Sequence, residues 1–343
     1  MICGDVHWSQ YSSIMRKRGE RYSQRLEYLI KSIDWVEATA KAKGCGKVVY
    51  LGDFFDKPSV NDEELTALGD ISWYGDAQHT LIVGNHESSV NGLRYNSTNA
   101  LGLRDGGLGF TVVSEPLSEM EGGVELCYMP YVIEDDRKPL EGYFGERKAS
   151  KRVIFSHNDI KGLSFGAVTS KTGFEVGDML ASCDLFINGH IHNGAWIEKG
   201  RIRNLGNVCG QNFGEDAFRY RHQVMILDTD SMTWEDIYNP HALNFVQIDV
   251  DSEEDFGRLE NLPPNAVVNI RCRESLVTGL KDRMGGFGVL AYRIMSVRDD
   301  SAQGKTAGVE FSTDGYLTKF SQFVMSRLGD SDVVREELME VLR

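Results

Sequence analysis

The chain has 343 residues, 41% of them hydrophobic and 26% charged, with a formal net charge of −14. It is long enough for a large core plus a second, smaller unit, no apolar run approaches the length of a bilayer span, and the opening Met1-Ile-Cys-Gly leaves no room for a signal peptide. The six scattered cysteines, with no CxxC pair, read as buried thiols of a reducing cytoplasm, and the acidic balance means that a nucleic-acid partner would need a local basic face.

The first strand ends at Gly4 after three residues, short enough to suggest residues upstream of Met1, and runs into Asp5-Val-His7. Residues 8–25 then carry Arg16, Lys17, Arg18, Arg21 and Arg25, interleaved with Trp8, Tyr11 and Tyr22. Such a segment is either a solvated helix start or, beside a metal site, a surface that holds a polyanionic backbone and stacks on bases. Tyr22, Leu26, Leu29, Ile33, Val36 and Ala40 recur at helical spacing up to Gly44. Val48–Leu51 is an apolar run of the kind that makes a fully buried strand; it stops at Gly52-Asp53, with Asp56 three residues on. Asn61 with Glu64 reads as an N-cap with its return acid, opening a helix through Leu65, Leu68 and Ile71. His79–Val83 leads to Gly84-Asn85-His86-Glu87.

Strand and helix alternate to this point, which implies right-handed crossovers and a largely parallel sheet. Residues 88–104 are polar, then weakly helical. Short strands are expected near Thr111–Val113 and Val124–Met129, and a charged helix around 134–149. Val153–Phe155 ends in Ser156-His157, and Leu185–Ile187 in Gly189-His190-Ile191-His192. Ala195–Glu198, Arg201–Leu205, Gln223–Leu227 and Met232–Tyr238 read as hairpins of a second sheet. The expected fold is therefore α/β, an αββα sandwich of two sheets with helices outside. The composition changes at Asn239-Pro240, beyond which a β-α-β-α-β pattern reaches Ser296 as a small capping domain. Residues 299–314 read as a polar linker, and 315–343 as two amphipathic helices that fold back or await a partner.

Five apolar runs thus end in Asp, Asn or His, four of them through glycine. A single Gly-Asp after a strand is ordinary turn chemistry; five such ends make a metal site. Two cations need a shared ligand, and Asp53 is the natural bridge. Asp5, His7 and one of His190 and His192 would complete one site; Asn85, His157 and the other histidine would complete the second. His86, spare beside Asn85, suits a general acid with Asp56 orienting its ring. His79, His222 and His241 read as structural. No GxSxG, no phosphate loop ending in Gly-Lys-Ser/Thr and no strand-to-helix setting for Gly285-Gly-Phe-Gly288 supports another chemistry.

Asp5-x-His7, Gly52-Asp53-x-x-Asp56, Gly84-Asn85-His86-Glu87, His157 and Gly189-His190-x-His192 together resemble the calcineurin-like metallophosphoesterase superfamily, over roughly residues 4–238. The resemblance implies one metal on Asp5, His7, Asp53 and His192, the other on Asp53, Asn85, His157 and His190, and His86 as the catalytic histidine paired with Asp56. Within the superfamily the chain most resembles the recombination-nuclease branch, the SbcD subunit of bacterial SbcCD and its counterparts. The signs are Gly52-Asp53-x-Phe55-Asp56-x-Pro58, a loop with Gly206-Asn207 and Phe213-Gly-Glu215 after GHxH, the small α/β unit, and the helices after Tyr316. Glu87 standing where many members have Asp, and an acidic small domain, depart from that pattern.

That branch implies a cytoplasmic, prokaryotic or phage-encoded DNA exonuclease and endonuclease with two divalent ions, most readily Mn2+. It would be a homodimer through helices near 88–104 and would act in DNA end processing with an SMC-type, SbcC-like ATPase on residues 315–343. DNA contacts would fall on Arg16, Lys17, Arg18, Arg21 and Arg25, helped by Arg201, Arg203, Arg219 and Arg221. The competing expectations are a free-standing phosphoesterase for small molecules or phosphoproteins, and a degenerate phosphoesterase used as a scaffold.

Overall fold

The computed structural model describes residues 1–298 apart from 16, 89–108, 166–167 and 216. Ser23 caps α1 (Gln24–Ala42) by accepting from Leu26 N–H, and Leu26, Leu29, Ile33, Val36 and Ala40 form its buried stripe. Gly44, at φ 64°, follows its end. The Asn61/Glu64 capping box opens α2 (Asp62–Leu68) with both reciprocal hydrogen bonds made.

Among the described residues two six-stranded sheets form, and β8 (Ser164–Phe165) and β9 (Val168–Thr169) pair as a separate two-stranded ribbon. The first runs β14 (Thr233–Tyr238), β13 (Gln223–Asp228), β1 (Ile2–Cys3), β2 (Lys47–Tyr50), β3 (Gln78–Ile82), β4 (Phe110–Val113). The second runs β11 (Ala195–Glu198), β12 (Ile202–Asn204), β10 (Leu185–Asn188), β7 (Lys151–Ser156), β6 (Val124–Met129), β5 (Leu117–Glu121). Alternation assigns the faces: Val49, Leu51 and Ile82 meet Leu126, Val153, Phe155 and Ile187 between the sheets, whereas Val48 and Tyr50 turn out under α1. Ile154 and Phe186 face outward on the second sheet, under Phe144 and Met179. This is the αββα sandwich, with a helical layer on each outer face.

Two local expectations change. The stretch 134–149 is a 3-10 turn, Glu134–Asp136, and one helical turn, α3 (Glu141–Phe144). Pro139 cannot continue a helix and Gly145, at φ 64°, ends the next one. Strand β5 is an additional edge strand paired antiparallel with β6.

Beyond Asn239, β15 (Asn244–Val250), β16 (Ala266–Arg273) and β17 (Ala291–Val297) make a separate three-stranded sheet, β15 and β16 parallel. A 3-10 helix (Glu253–Leu259) and a short helix (Val277–Arg283) cover it through Phe256, Leu259 and Leu280. Contacts group Met1–Ser296 as one unit. Residues 89–104, and 299–343 with their expected linker and helices, lie outside the described residues.

Candidate dimetal centre

Parallel pairing sets the site. Cys3 aligns with Tyr50, Tyr50 with Leu81, and Ser156 with Asn188, so β1, β2 and β3 end side by side, as do β7 and β10. The residues after those ends share one rim, as expected of strand tips in α/β sheets. Among the described residues, three side-chain groups could each hold a cation: Asp5, His7 and His192; Asp53, His157 and His190; and His7, Asp53 and His86. Asp53 belongs to two of them, as a shared ligand requires. Asn85 Oδ1 lies 3.1 Å from His157 Nε2 and 3.0 Å from His190 Nδ1, which puts it with the second group.

The backbone is bent to achieve this. His7, Asp53 and His190 sit at φ 52°, 46° and 72°, a region that costs a non-glycine residue about 1–3 kcal/mol. Glycine is required where these turns crowd together: a Cβ on Gly84 would lie 2.2 Å from Asp53 Oδ1, and one on Gly189 2.7 Å from Asp5 Oδ1.

Partners outside the cluster fix the imidazoles. His157 Nδ1 donates to the Leu51 carbonyl at 2.8 Å, which turns Nε2 into the site. His192 Nδ1 lies 3.1 Å from Glu215, a buried carboxylate that also accepts from Asn207 Nδ2 and from the backbone N–H of Gln211 and Asn212. His190 Nε2 lies 3.2 Å from Asp159, leaving Nδ1 toward Asn85. Asp159, two residues after His157, follows no apolar run of its own, and Glu215 belongs to the loop after Gly206-Asn207, so neither carries the strand-end pattern of the ligand candidates.

Asp56 behaves differently from expectation. Its carboxylate lies 3.2 Å from His7 Nδ1 and accepts from Gln211, whereas His86 Nδ1 donates to its backbone carbonyl at 2.8 Å. The carboxylate is 4.0 Å from His86. The Asp56 carbonyl, not its side chain, is thus the group that orients the His86 ring. His86 is the most open of these side chains, 39% exposed, with Nε2 4.0 Å from Asp53 Oδ2.

The charges fit cations. Asp5 Oδ2 is buried without a hydrogen-bond partner. Burial and neighbouring Asp53 push Glu87 up to about 8. Burial works against the charged forms of Asp53 and His157, yet each holds the other ionised: Asp53 falls well below the usual carboxylate range and His157 rises to about 9. Asp5 and Asp53 converge here with several imidazoles, and a set of oxygen and imidazole donors without thiolate suits Mn2+, Fe2+ or Zn2+.

The expected basic face is largely spent on structure. Arg16 lies outside the described residues, and Lys17 is exposed. Arg18 pairs with Glu63 at 2.7 Å and Arg21 with Asp70 at 2.7 Å, both acids of the α2 region. Arg25 is no surface contact: it is buried on the inward stripe of α1, beside Leu26 and Leu29, with Nη2 3.4 Å from the His7 carbonyl. Arg201 caps the carbonyls of Leu180, Cys183 and Asp184, and Arg203 is bidentate to Asp236. His79 pairs with Glu37, away from the ligand groups, and His222 donates from Nδ1 to the Asn207 carbonyl with Nε2 3.8 Å from Glu215, behind His192.

No helix of the described residues is long and apolar enough to cross a membrane. No curated protein matches the chain. The profile of the calcineurin-like phosphoesterase family matches residues 1–194, which hold all seven ligand candidates with His86 and Asp56, and the chain belongs to that family.

Proposed function

We propose that the chain is the nuclease subunit of a DNA end-processing enzyme, a phosphodiesterase of two divalent ions, manganese foremost, that works with an SMC-type ATPase. The observation that carries this beyond phosphoester hydrolysis is the mounting of the small α/β unit. Phe245 packs edge-on against Phe213 at 5.2 Å and Gln247 donates to the Phe213 carbonyl at 3.0 Å, so β15 buttresses the loop whose Glu215 holds His192. A second unit set on the site's own loop suits a long substrate that extends past the reacting phosphate better than a small metabolite.

Two divalent cations on these residues would supply a water acidic enough to attack at neutral pH and would neutralise the phosphate. The chain does the rest. Asp56 and Glu215 fix His7 and His192 from behind, and the Leu51 carbonyl and Asp159 do so for His157 and His190. Because a carbonyl can only accept, His86 Nδ1 carries a proton, and Nε2 is the atom that faces the site. As an imidazolium, His86 hands the Nε2 proton to the leaving oxygen and keeps the Nδ1 bond that orients it.

The test is hydrolysis of linear and hairpin DNA by the purified chain with Mn2+, with and without chelator. Chelator-sensitive degradation supports the reading. Rapid hydrolysis of bis(p-nitrophenyl) phosphate with intact DNA, alone and with an SMC-type ATPase added, overturns it in favour of a small-molecule phosphoesterase.

A further inference from the structure

With Arg18, Arg21, Arg25, Arg201 and Arg203 engaged within the protein, a nucleic-acid strand needs another surface. The sandwich has one where the edge strands β14 and β11 meet. In β14, Trp234, Asp236 and Tyr238 point to one face, two residues apart. Each has a partner there: Trp196 lies 5.0 Å from Trp234, Arg203 forks onto Asp236, and Arg221 lies 5.3 Å over the Tyr238 ring. The ladder leaves apolar rings in solvent. Tyr238 is 53% exposed, Trp234 40%, and neighbouring Phe218 62%. Arg221 is exposed, and among the described residues no carboxylate pairs with it.

The surface lies on segments that leave the candidate dimetal centre. A cleft of about 330 Å3 is lined by Gly194 and Ala195, two and three residues after His192, and by Phe218, Arg221 and Tyr238. Phe218 in turn stands three residues after Glu215, the carboxylate on His192. Exposed rings beside a guanidinium that no carboxylate among the described residues neutralises have the chemistry of a stacking platform.

We infer that the Phe218–Arg221–Tyr238–Trp234 surface binds single-stranded DNA, its rings stacking on bases and Arg221 taking a phosphate, and guides the strand to the dimetal centre. This rests on the nuclease reading for its purpose, but it is measured separately from cleavage.

The experiment is fluorescence anisotropy of a labelled oligothymidylate with the full chain in chelator, where no hydrolysis occurs. Stacking is worth enough that Phe218→Ala and Tyr238→Ala should each weaken binding roughly tenfold. Arg221→Gln should weaken it too and reduce the salt slope by about 0.7. Titration should quench tryptophan fluorescence, less so in Trp234→Phe. Melting curves check each variant, and Phe218→Leu, which keeps apolar bulk without a π face, should bind as weakly as Phe218→Ala. Absence of binding by the parent chain, or aromatic variants that bind within twofold of it, overturns the platform. So does equal displacement by heparin of parent and aromatic variants, the mark of charge alone. Cleavage with Mn2+ is scored apart. Aromatic-dependent binding without cleavage would keep the platform and sink the nuclease reading; cleavage with ring-independent binding would do the reverse.

Discussion

Glu87 accepts the backbone N–H of Asp53 at 3.1 Å, so the end of one strand fixes the left-handed turn at the end of the next. The same carboxylate takes the N–H groups of Phe55 at 2.8 Å and Gly84 at 2.7 Å. Glu87→Ala would leave three buried donors unpaired at about 1–3 kcal/mol each. The expected outcome is a loss of several degrees in Tm together with fewer bound ions by elemental analysis. An unchanged melt with full metal content would show that water replaces the carboxylate.

His86 and Asp56 should separate in mutation. His86→Ala removes the proposed leaving-group acid and none of the seven ligand candidates, so turnover of a diester should fall about 10²–10⁴-fold while both ions stay bound. Asp56→Asn acts on His7, whose Nδ1 its carboxylate faces at 3.2 Å, and should lower ion affinity about 10–100-fold. Equal ion content in the two variants, read against their turnover, would mean that Asp56 acts through His86 after all.

Asp53 is the test of the shared ligand. It belongs both to the group with His157 and His190 and to the group with His7 and His86. Asp53→Asn should therefore deplete two ions together, whereas Glu215→Gln should weaken chiefly the site served by His192. Two full equivalents retained in Asp53→Asn would remove the bridging role.

A buried pair away from the site gives a stability prediction. Arg152 Nε meets Glu125 at 2.7 Å, both side chains are almost wholly inaccessible, and Arg152 also donates to the Gly145 and Glu146 carbonyls. Arg152→Met would strand the carboxylate and should cost about 3–5 kcal/mol in urea denaturation. Burial opposes ionisation of Glu125, but the Arg152 bond holds its carboxyl below the usual glutamate value of 4.5. Its contribution is therefore complete above pH 4.5 and is lost as the pH falls through the lower folded value. Arg152→Met should show a shallower decline over that acid range than the parent chain; parallel curves would contradict the pairing.

That the ligand candidates gather at one rim was legible because each follows its own strand: an apolar run and then a donor, through glycine in four of five cases, state both place and direction. The residues that steer them were not. Glu215 reaches His192 across 23 positions, and Asp56 reaches His7 across the gap between two strands, so neither has a local pattern. The core helix was legible from its stripe, but that same stripe should have placed Arg25, one residue before Leu26, partly inward. Arg18 and Arg21 read as free because their acids, Glu63 and Asp70, lie in the next helical segment. Pro139 and Gly145 were sufficient to break the helix expected over 134–149.

The three ligand candidates with left-handed backbones make the centre a spring held cocked by its surroundings. Such a site cannot be improved by small steps, because any residue better suited to those dihedrals is a glycine or asparagine that brings the wrong donor. In a saturation library, tolerance should therefore fall to near zero at Gly84 and Gly189 as sharply as at the donors themselves, while exchange remains open along the outer strands. Diversification of this chain would proceed by changing what approaches the centre, leaving the centre itself as it is.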